Sequence, residues 1–169
     1  MSDLKSIIAN MQANLRVRPD SAKATFQSQS RLQDGLRTVA KIRQHEVTVD
    51  EPPALGGEDA GPNPVELILA ALGTCQEITY RAYATALGIP LENVSVTLAG
   101  DLDLRGFFGV DDSVRAGYQR ITGTVRLESS ADEETLLALR QAVNAHCPVL
   151  DIIRQPVPVT LELDIKSPG

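Results

Sequence analysis

The spacing of apolar residues changes several times along the chain, and each change predicts a new element. In residues 1–18, apolar side chains recur three or four positions apart, which predicts an amphipathic N-terminal helix that Pro19 ends. Between Ala22 and Val49 the pattern is strand-like, and Asp34-Gly35 predicts a hairpin turn between two extended runs. The run from Glu51 to Pro64 is rich in proline, glycine and acids, which predicts an ordered surface loop.

The segment that follows this loop predicts a long central helix. Asn63 is a favourable N-cap, Pro64 suits the first helical position, and Glu66 stands where a capping-box carboxylate belongs. Apart from Glu66, residues 65–72 are all apolar, so we expect this half of the helix to be surrounded by protein. The helix is predicted to run to Leu87, before Gly88 and Pro90 stop it.

The second half of the chain predicts strands and one further helix. Alternating apolar and polar residues at 94–99 and 121–127 predict two strands, with a long hairpin loop over 105–117 between them. Ser130 and Glu133 form a capping-box pattern at the start of a helix. The apolar stripe of that helix is Leu136, Leu139, Val143 and Cys147. Alternation from Val157 to Ile165 predicts a closing strand.

These elements together predict one α+β domain over residues 1–169, and the composition narrows its class. A length of 169 residues with 43% hydrophobic residues is typical of a single compact core. The net charge of -6 opposes binding to nucleic acid. Because there is neither a secretion-type apolar segment nor a run of about 20 apolar residues, we expect a cytoplasmic protein without a membrane partner.

The candidate chemistry centres on the only two cysteines, Cys75 and Cys147, which lie 72 positions apart and form no CxxC motif. Cys75 is predicted in the middle of the central helix. Cys147 directly precedes Pro148, a favoured first residue of a helix, so its thiol is expected to feel the positive end of that helix. Either cysteine alone fits a buried space-filling residue equally well. As a pair on buried helix faces, they are candidates for a redox couple.

Other polar residues are weaker candidates. Glu66 is explained by the capping box, and nine residues at about 100° each put it on the opposite side of the helix from Cys75. Three arginines lie on or near the first strands: Arg31, Arg37 and Arg43. Any one of them is a candidate to stabilise a thiolate, but each is also explained as an exposed, solvated side chain. His45 and His146 would complete a set of two histidines and two cysteines, but the spacing matches no zinc motif, and we expect no metal or cofactor.

Two motifs carry a family resemblance. The string from Gly56 through Asn63-Pro64 to Cys75, and the later His146-Cys147-Pro148-Val149, resemble the two signatures of the OsmC/organic hydroperoxide resistance family, over about residues 22–165. The resemblance implies an OsmC-like fold in which long central helices are wrapped by antiparallel strands. It also implies an intertwined homodimer with thiol sites at the subunit interface.

By the same resemblance, Cys75 matches the peroxide-attacking cysteine and Cys147 the resolving one. The implied reaction is reduction of an organic hydroperoxide, with an external dithiol as reductant and a role in oxidative stress defence. An arginine, of which Arg37 is our candidate, would stabilise the thiolate, and a carboxylate would orient it. The chain departs from the pattern because Val65 stands where hydroperoxide-reducing members have Glu, and only the adjacent Glu66 remains.

The sequence therefore supports a leading function and an alternative. The leading hypothesis is a thiol peroxidase that uses Cys75 and Cys147. The alternative is an OsmC-like protein without efficient peroxidase turnover, whose cysteine pair senses redox state or lines a pocket for an apolar or acyl ligand. A purely structural dimeric module is a third class. The substrate, the reductant and the activating arginine stay open.

Overall fold

The computed structural model describes residues 3–166 and has a mixed α+β architecture. The N-terminal helix α1 spans Leu4–Val17, and the Asp3 side chain caps it. Three strands follow in an antiparallel sheet of order β1-β2-β3, with bounds β1 Gln29–Leu32, β2 Thr38–Ile42 and β3 His45–Val49. The predicted turn at Asp34-Gly35 joins β1 to β2, with Gly35 in the left-handed region at φ 56°. The first predicted helix and hairpin are therefore confirmed.

The loop after β3 is held in place by one buried carboxylate. Asp50 accepts hydrogen bonds from the backbone N–H groups of Glu51 at 2.9 Å, Glu58 at 3.0 Å and Ala60 at 3.2 Å. A Cβ on Gly57 would lie 1.9 Å from the Glu51 carbonyl oxygen, so the loop closes this tightly only with glycine there. The ordered loop predicted from the composition is confirmed, and it delivers the chain to the start of the central helix.

The central helix α2 spans Pro64–Leu87 and has the predicted ends. The Asn63 side chain accepts from the Glu66 N–H at 2.8 Å while the Glu66 carboxylate accepts from the Asn63 N–H at 2.9 Å, which completes the capping box. Gly88 ends the helix in the left-handed conformation at φ 71°. Within the single chain the first half of α2 is only partly covered, because Ile68 keeps 46% of its surface exposed and only Leu72 of residues 65–72 is buried.

The second sheet has two long antiparallel strands, β4 Asn93–Asp101 and β5 Arg120–Glu128. Polar contacts as well as packing join α2 to strand β4 and to the two residues that precede this strand. The Glu77 carboxylate accepts from the Val96 N–H at 3.1 Å, and the Arg81 guanidinium donates to the carbonyls of Leu91 and Glu92. Within the predicted hairpin loop the structure adds a short helix α3, Leu104–Phe107, which the glycines there did not indicate.

Two C-terminal helices complete the core. Helix α4 spans Glu133–His146 and α5 spans Pro148–Arg154. The cap of α4 is Asp132, which accepts from the Thr135 N–H at 2.8 Å, so the predicted Ser130/Glu133 capping box is wrong by two positions. The predicted apolar stripe is confirmed. It packs against the second half of α2 to form the buried cluster Tyr80, Ala84, Leu91, Leu139 and Val143.

The predicted closing strand is not formed. Residues 156–166 have no strand partner within the described chain, and the apolar members of the alternating pattern are exposed, with Leu161 at 90%. A strand requires a neighbour that takes its backbone hydrogen bonds, and no described strand pairs with these residues. None of the described helices is long and apolar enough to cross a membrane.

We predict that Leu139→Ala destabilises the protein by about 2–5 kcal/mol, because Leu139 is fully buried where α4 meets α2 and its truncation leaves a cavity. Leu137→Ala is the matched control on the same helix. Its side chain is 49% exposed, so we expect a change within about 0.5 kcal/mol. Urea unfolding of both variants measures the difference, and equal midpoints would contradict this assignment of the core.

Candidate active site: the cysteine pair

Cys75 lies in the middle of α2, where neighbouring elements half-bury its side chain. A helix holds each Cβ in a defined direction, so the position of the thiol is set by the packing of α2. Four residues later, on the same face of the helix, the hydroxyl of Thr79 donates to the Cys75 carbonyl at 2.7 Å. The Cys75 sulfur is therefore carried by a rigid element with little freedom to move away.

Cys147 lies at the junction of α4 and α5. Its N–H donates to the Val143 carbonyl at 2.9 Å, which ends α4, and its carbonyl accepts from the Asp151 N–H at 3.0 Å, which begins α5. Pro148 follows at the first position of α5, where its missing N–H costs nothing. Only 1% of Cys147 is exposed. Both helices thus fix the backbone of this cysteine.

The fold brings the two sulfurs together. The Cys147 thiol donates to the Cys75 sulfur at an Sγ–Sγ distance of 3.3 Å, although the residues are 72 positions apart in sequence. A disulfide needs an S–S distance of about 2.05 Å, so a small movement suffices to form it once two electrons are removed. The approach expected for a redox couple is therefore present, with both cysteines as free thiols.

The surroundings of Cys75 favour its neutral form. Burial is the largest influence and raises the pKa of the Cys75 thiol, and the neighbouring Cys147 raises it further. Hydrogen bonds from the Val149 N–H and the Thr79 side chain lower the pKa without overcoming burial. No cation is among the groups that chiefly set this pKa. The thiolate, which is the reactive form, is thus a minor species at neutral pH in the described chain.

Glu66 and Val65 lie at the N-terminal end of α2, away from the thiols. Nine residues at about 1.5 Å each separate Glu66 from Cys75 by about 14 Å along the helix axis. The Glu66 carboxylate is engaged in the capping box, and the Val65 carbonyl accepts from the Tyr118 hydroxyl at 2.8 Å. The structure therefore places Glu66 as a helix cap and does not bring it beside Cys75.

The three candidate arginines all belong to the first sheet and its turns. Arg37 pairs with Asp34 at 3.0 Å and reaches Glu58 at 3.8 Å, so its nearest charges are carboxylates. Arg31 lies exposed on β1. Arg43 occupies the turn between β2 and β3 with φ 56°. Within the described residues, no contact between these arginines and Cys75 supports a role in stabilising its thiolate.

The histidines are also separate from each other. His45 lies exposed on β3, whereas His146 ends α4 with its ring 5.2 Å from that of Tyr83 and its Nδ1 2.8 Å from the Ala142 carbonyl oxygen. Within residues 3–166, no three His, Cys, Asp or Glu side chains are grouped closely enough to hold a metal ion.

Two groups at the thiols were missed by reading the sequence. Thr79 carried a usable signal, because residues four apart lie on one helix face. The N–H of Val149 carried none, because its approach to Cys75 exists only when α5 packs against α2. Backbone donors near a thiolate become visible only in a tertiary structure.

Solved structures with the same fold include several named relatives. An OsmC-like protein from Mycoplasma pneumoniae superimposes with a TM-score of 0.68 at 18% identity, covering 79% of this chain and 90% of that one. An organic hydroperoxide resistance protein OsmC from Legionella pneumophila gives a TM-score of 0.60 at 21% identity, with 78% and 90% covered. One from Elizabethkingia anophelis gives 0.61 at 17% identity, with 79% and 91% covered.

No protein with a curated function matches the sequence significantly. At these identities the structural likenesses establish the fold alone. The sequence itself matches the family model for OsmC-like protein over residues 56–162, a span that contains α2, the β4–β5 sheet and both cysteines. Because this match covers more than half of the chain, and the fold agrees with it, the protein belongs to the OsmC-like family.

Proposed function

We propose that the protein is a thiol peroxidase that reduces organic hydroperoxides through Cys75 and Cys147, with a role in oxidative stress defence. The single observation that carries the proposal is the 3.3 Å distance between the two sulfurs on otherwise rigid helices. Two of the structural relatives are named for organic hydroperoxide resistance, which agrees with this chemistry. A cycle based on free thiols needs a reducing compartment, so we place it in the cytoplasm.

The proposed reaction balances without a cofactor. The Cys75 thiolate attacks the distal peroxide oxygen, an S–O bond forms, the O–O bond breaks, and the departing alkoxide takes a proton to become the alcohol. Cys147, as thiolate, then attacks the Cys75 sulfur of the sulfenic acid, and the hydroxyl leaves as water when protonated. The resulting disulfide is returned to two thiols by an external dithiol, which is oxidised to its own disulfide.

The residues around the pair support separate steps. Contact between the sulfurs allows capture of the sulfenic acid before a second peroxide oxidises it further. The Val149 N–H and the Thr79 side chain both lower the pKa of the Cys75 thiol, so they favour the negative charge that develops on its sulfur. Because Cys147 is almost fully buried, an external dithiol is expected to attack the more exposed Cys75 sulfur of the disulfide.

We predict that Cys75→Ser abolishes hydroperoxide consumption, whereas Cys147→Ser retains the first turnover and accumulates sulfenic acid. For the wild type, the rate should rise with pH up to the raised pKa of Cys75, because only the thiolate reacts. Stopped-flow peroxide consumption and mass spectrometry of the quenched protein measure both effects. Unchanged consumption by Cys75→Ser would exclude the proposal.

A second candidate function is a redox sensor or ligand-binding protein with slow peroxide turnover. Two observations favour it: the raised pKa of Cys75, and Val65 in place of the glutamate that would hold an activating arginine. A sensor requires only that the pair forms a disulfide reversibly, and slow oxidation suffices for that. The two functions therefore share one site and differ in how readily Cys75 ionises.

We predict that Val65→Glu speeds the reaction of Cys75 with alkyl hydroperoxides at least several-fold and lowers the pKa of its thiol, if an arginine lacks its anchoring carboxylate. Thiol alkylation rates measured against pH report the pKa independently of peroxide. The control is Glu66→Gln, which should cost about 1 kcal/mol of stability as a weakened cap while leaving the rate unchanged. A large rate loss in Glu66→Gln would instead give Glu66 the anchoring role.

We further propose that two copies form an intertwined homodimer with the long α2 helices at its centre. The described chain leaves apolar surface uncovered, including Ile78 and Leu87 on α2. Residues 157–165 expose an alternating apolar face with no sheet neighbour in the chain. A second copy offering a strand edge would satisfy this backbone and cover the face.

Sedimentation is therefore expected to show a dimer at micromolar concentration. Leu161→Lys should weaken it, because the charge enters the apolar face of residues 157–165, which a second copy would bury. Thr160→Lys is the matched control, because alternation puts it on the opposite face of the same segment. A folded monomer at these concentrations would remove the proposal, as would equal weakening by both variants.

A further inference from the structure

A cavity of about 500 Å³ lies between α2, the β4–β5 sheet and the two C-terminal helices. Its size falls within the range of about 300–1,000 Å³ found for ligand pockets. It lies on the Gln76 side of α2, about 100° around the helix from the preceding Cys75. Apolar side chains from α2, from both strands of the sheet and from α5 form much of its wall, among them Leu72, Val96, Ile121, Leu150 and Ile153.

One polar group in this wall has no partner. Gln76 is only 5% exposed, and its Nε2 is buried without a hydrogen-bond acceptor among the described residues. An unsatisfied buried amide is costly, and most such groups in proteins are paired. Because Gln76 lines the cavity, an acceptor oxygen on a molecule bound there would satisfy the free N–H₂ group.

The charged side chains that line the cavity are all arginines. Four arginines line it and no aspartate or glutamate does, in a chain whose net charge is -6. Arg120 is paired with Asp101 at 2.9 Å, but Arg115, Arg140 and Arg154 form no ion pair within residues 3–166. These three side chains are exposed, so they are free to turn toward an anion at the cavity mouth.

We propose that this cavity binds an amphipathic carboxylate, with its hydrocarbon chain against the apolar wall and its carboxylate held by the Gln76 amide and the unpaired arginines. A neutral apolar molecule would leave Gln76 unsatisfied and the arginines unused. A small inorganic anion would leave the apolar wall of the cavity in contact with water. The proposal goes beyond the thiol chemistry, because binding is non-covalent and needs neither cysteine.

The test uses decanoate, a carboxylate that carries no peroxide, below its critical micelle concentration. Isothermal titration of the reduced full-length protein should show saturable binding, with much weaker binding of decanol, which has the chain without the charge. Cys75→Ser should bind decanoate as the wild type does. This result does not depend on peroxidase activity, so the binding proposal and the peroxidase proposal can be contradicted separately.

Substitutions in the cavity sharpen the test. Gln76→Leu should weaken decanoate binding about tenfold while raising the melting temperature of the ligand-free protein, because it removes an unsatisfied donor. Gln141→Leu, on the exposed face of α4 and outside the cavity, should change neither. Arg140→Gln should weaken decanoate but not decanol, whereas Arg126→Gln removes the same charge from outside the cavity and should have no effect.

Absence of saturable decanoate binding would overturn the proposal, as would equal affinity in Gln76→Leu and wild type. If Gln76→Leu instead tightens self-association and leaves decanoate binding unaltered, a second copy of the chain fills the cavity and the ligand proposal is wrong. Sedimentation of the same variant distinguishes this outcome.

Discussion

The packing of α4 against the second half of α2 is the contact on which the rest of the structure depends. Leu139 and Val143 of α4 are fully buried against Tyr80 and Ala84 of α2. One turn beyond Val143, the same apolar stripe ends in Cys147. The buried cluster therefore sets the distance between the two sulfurs, and the pair exists because a hydrophobic interface continues into it.

Placing the thiols at the end of this interface has an electrostatic consequence. Burial holds the sulfurs together and removes water, but it also raises the pKa of Cys75 and so reduces the reactive thiolate. The Val149 N–H and the Thr79 side chain offset only part of this rise in the pKa of Cys75. Under the proposed function, a cation placed near Cys75 would lower the pKa of its thiol and favour fast turnover, whereas without one a slow redox switch is favoured.

Two kinds of surface in the described chain carry groups that have no partner within it. The first kind consists of the segment 157–165, whose backbone is unpaired, and of the exposed apolar side chains of α2. Surfaces of this kind are typical of contacts with another protein surface. The cavity beside Gln76 combines an unsatisfied amide with unpaired guanidinium groups. We propose that association of two copies satisfies the first kind of surface and that a small anion with an apolar body satisfies the second.

Much of this protein was predictable from sequence wherever the deciding interactions are local. The ends of α2 follow from Asn63, Pro64, Glu66 and Gly88, because caps and left-handed glycines act within a few residues. The positions of β4 and β5 and the stripe of α4 also followed from side-chain period, although Val125 of β5 stays 37% exposed. The family followed from the motifs around the two cysteines.

The tertiary structure decided everything that depends on residues distant in the chain. Alternation in 157–165 predicted a strand, yet a strand also needs an edge to pair with, and no local pattern supplies one. The N-cap of α4 shifted from Ser130 to Asp132 because two neighbouring polar residues both suit the position. The 3.3 Å sulfur contact, the pKa of Cys75 and the unpaired amide of Gln76 arise only when α2, α4 and α5 pack, because burial is a property of the assembled core.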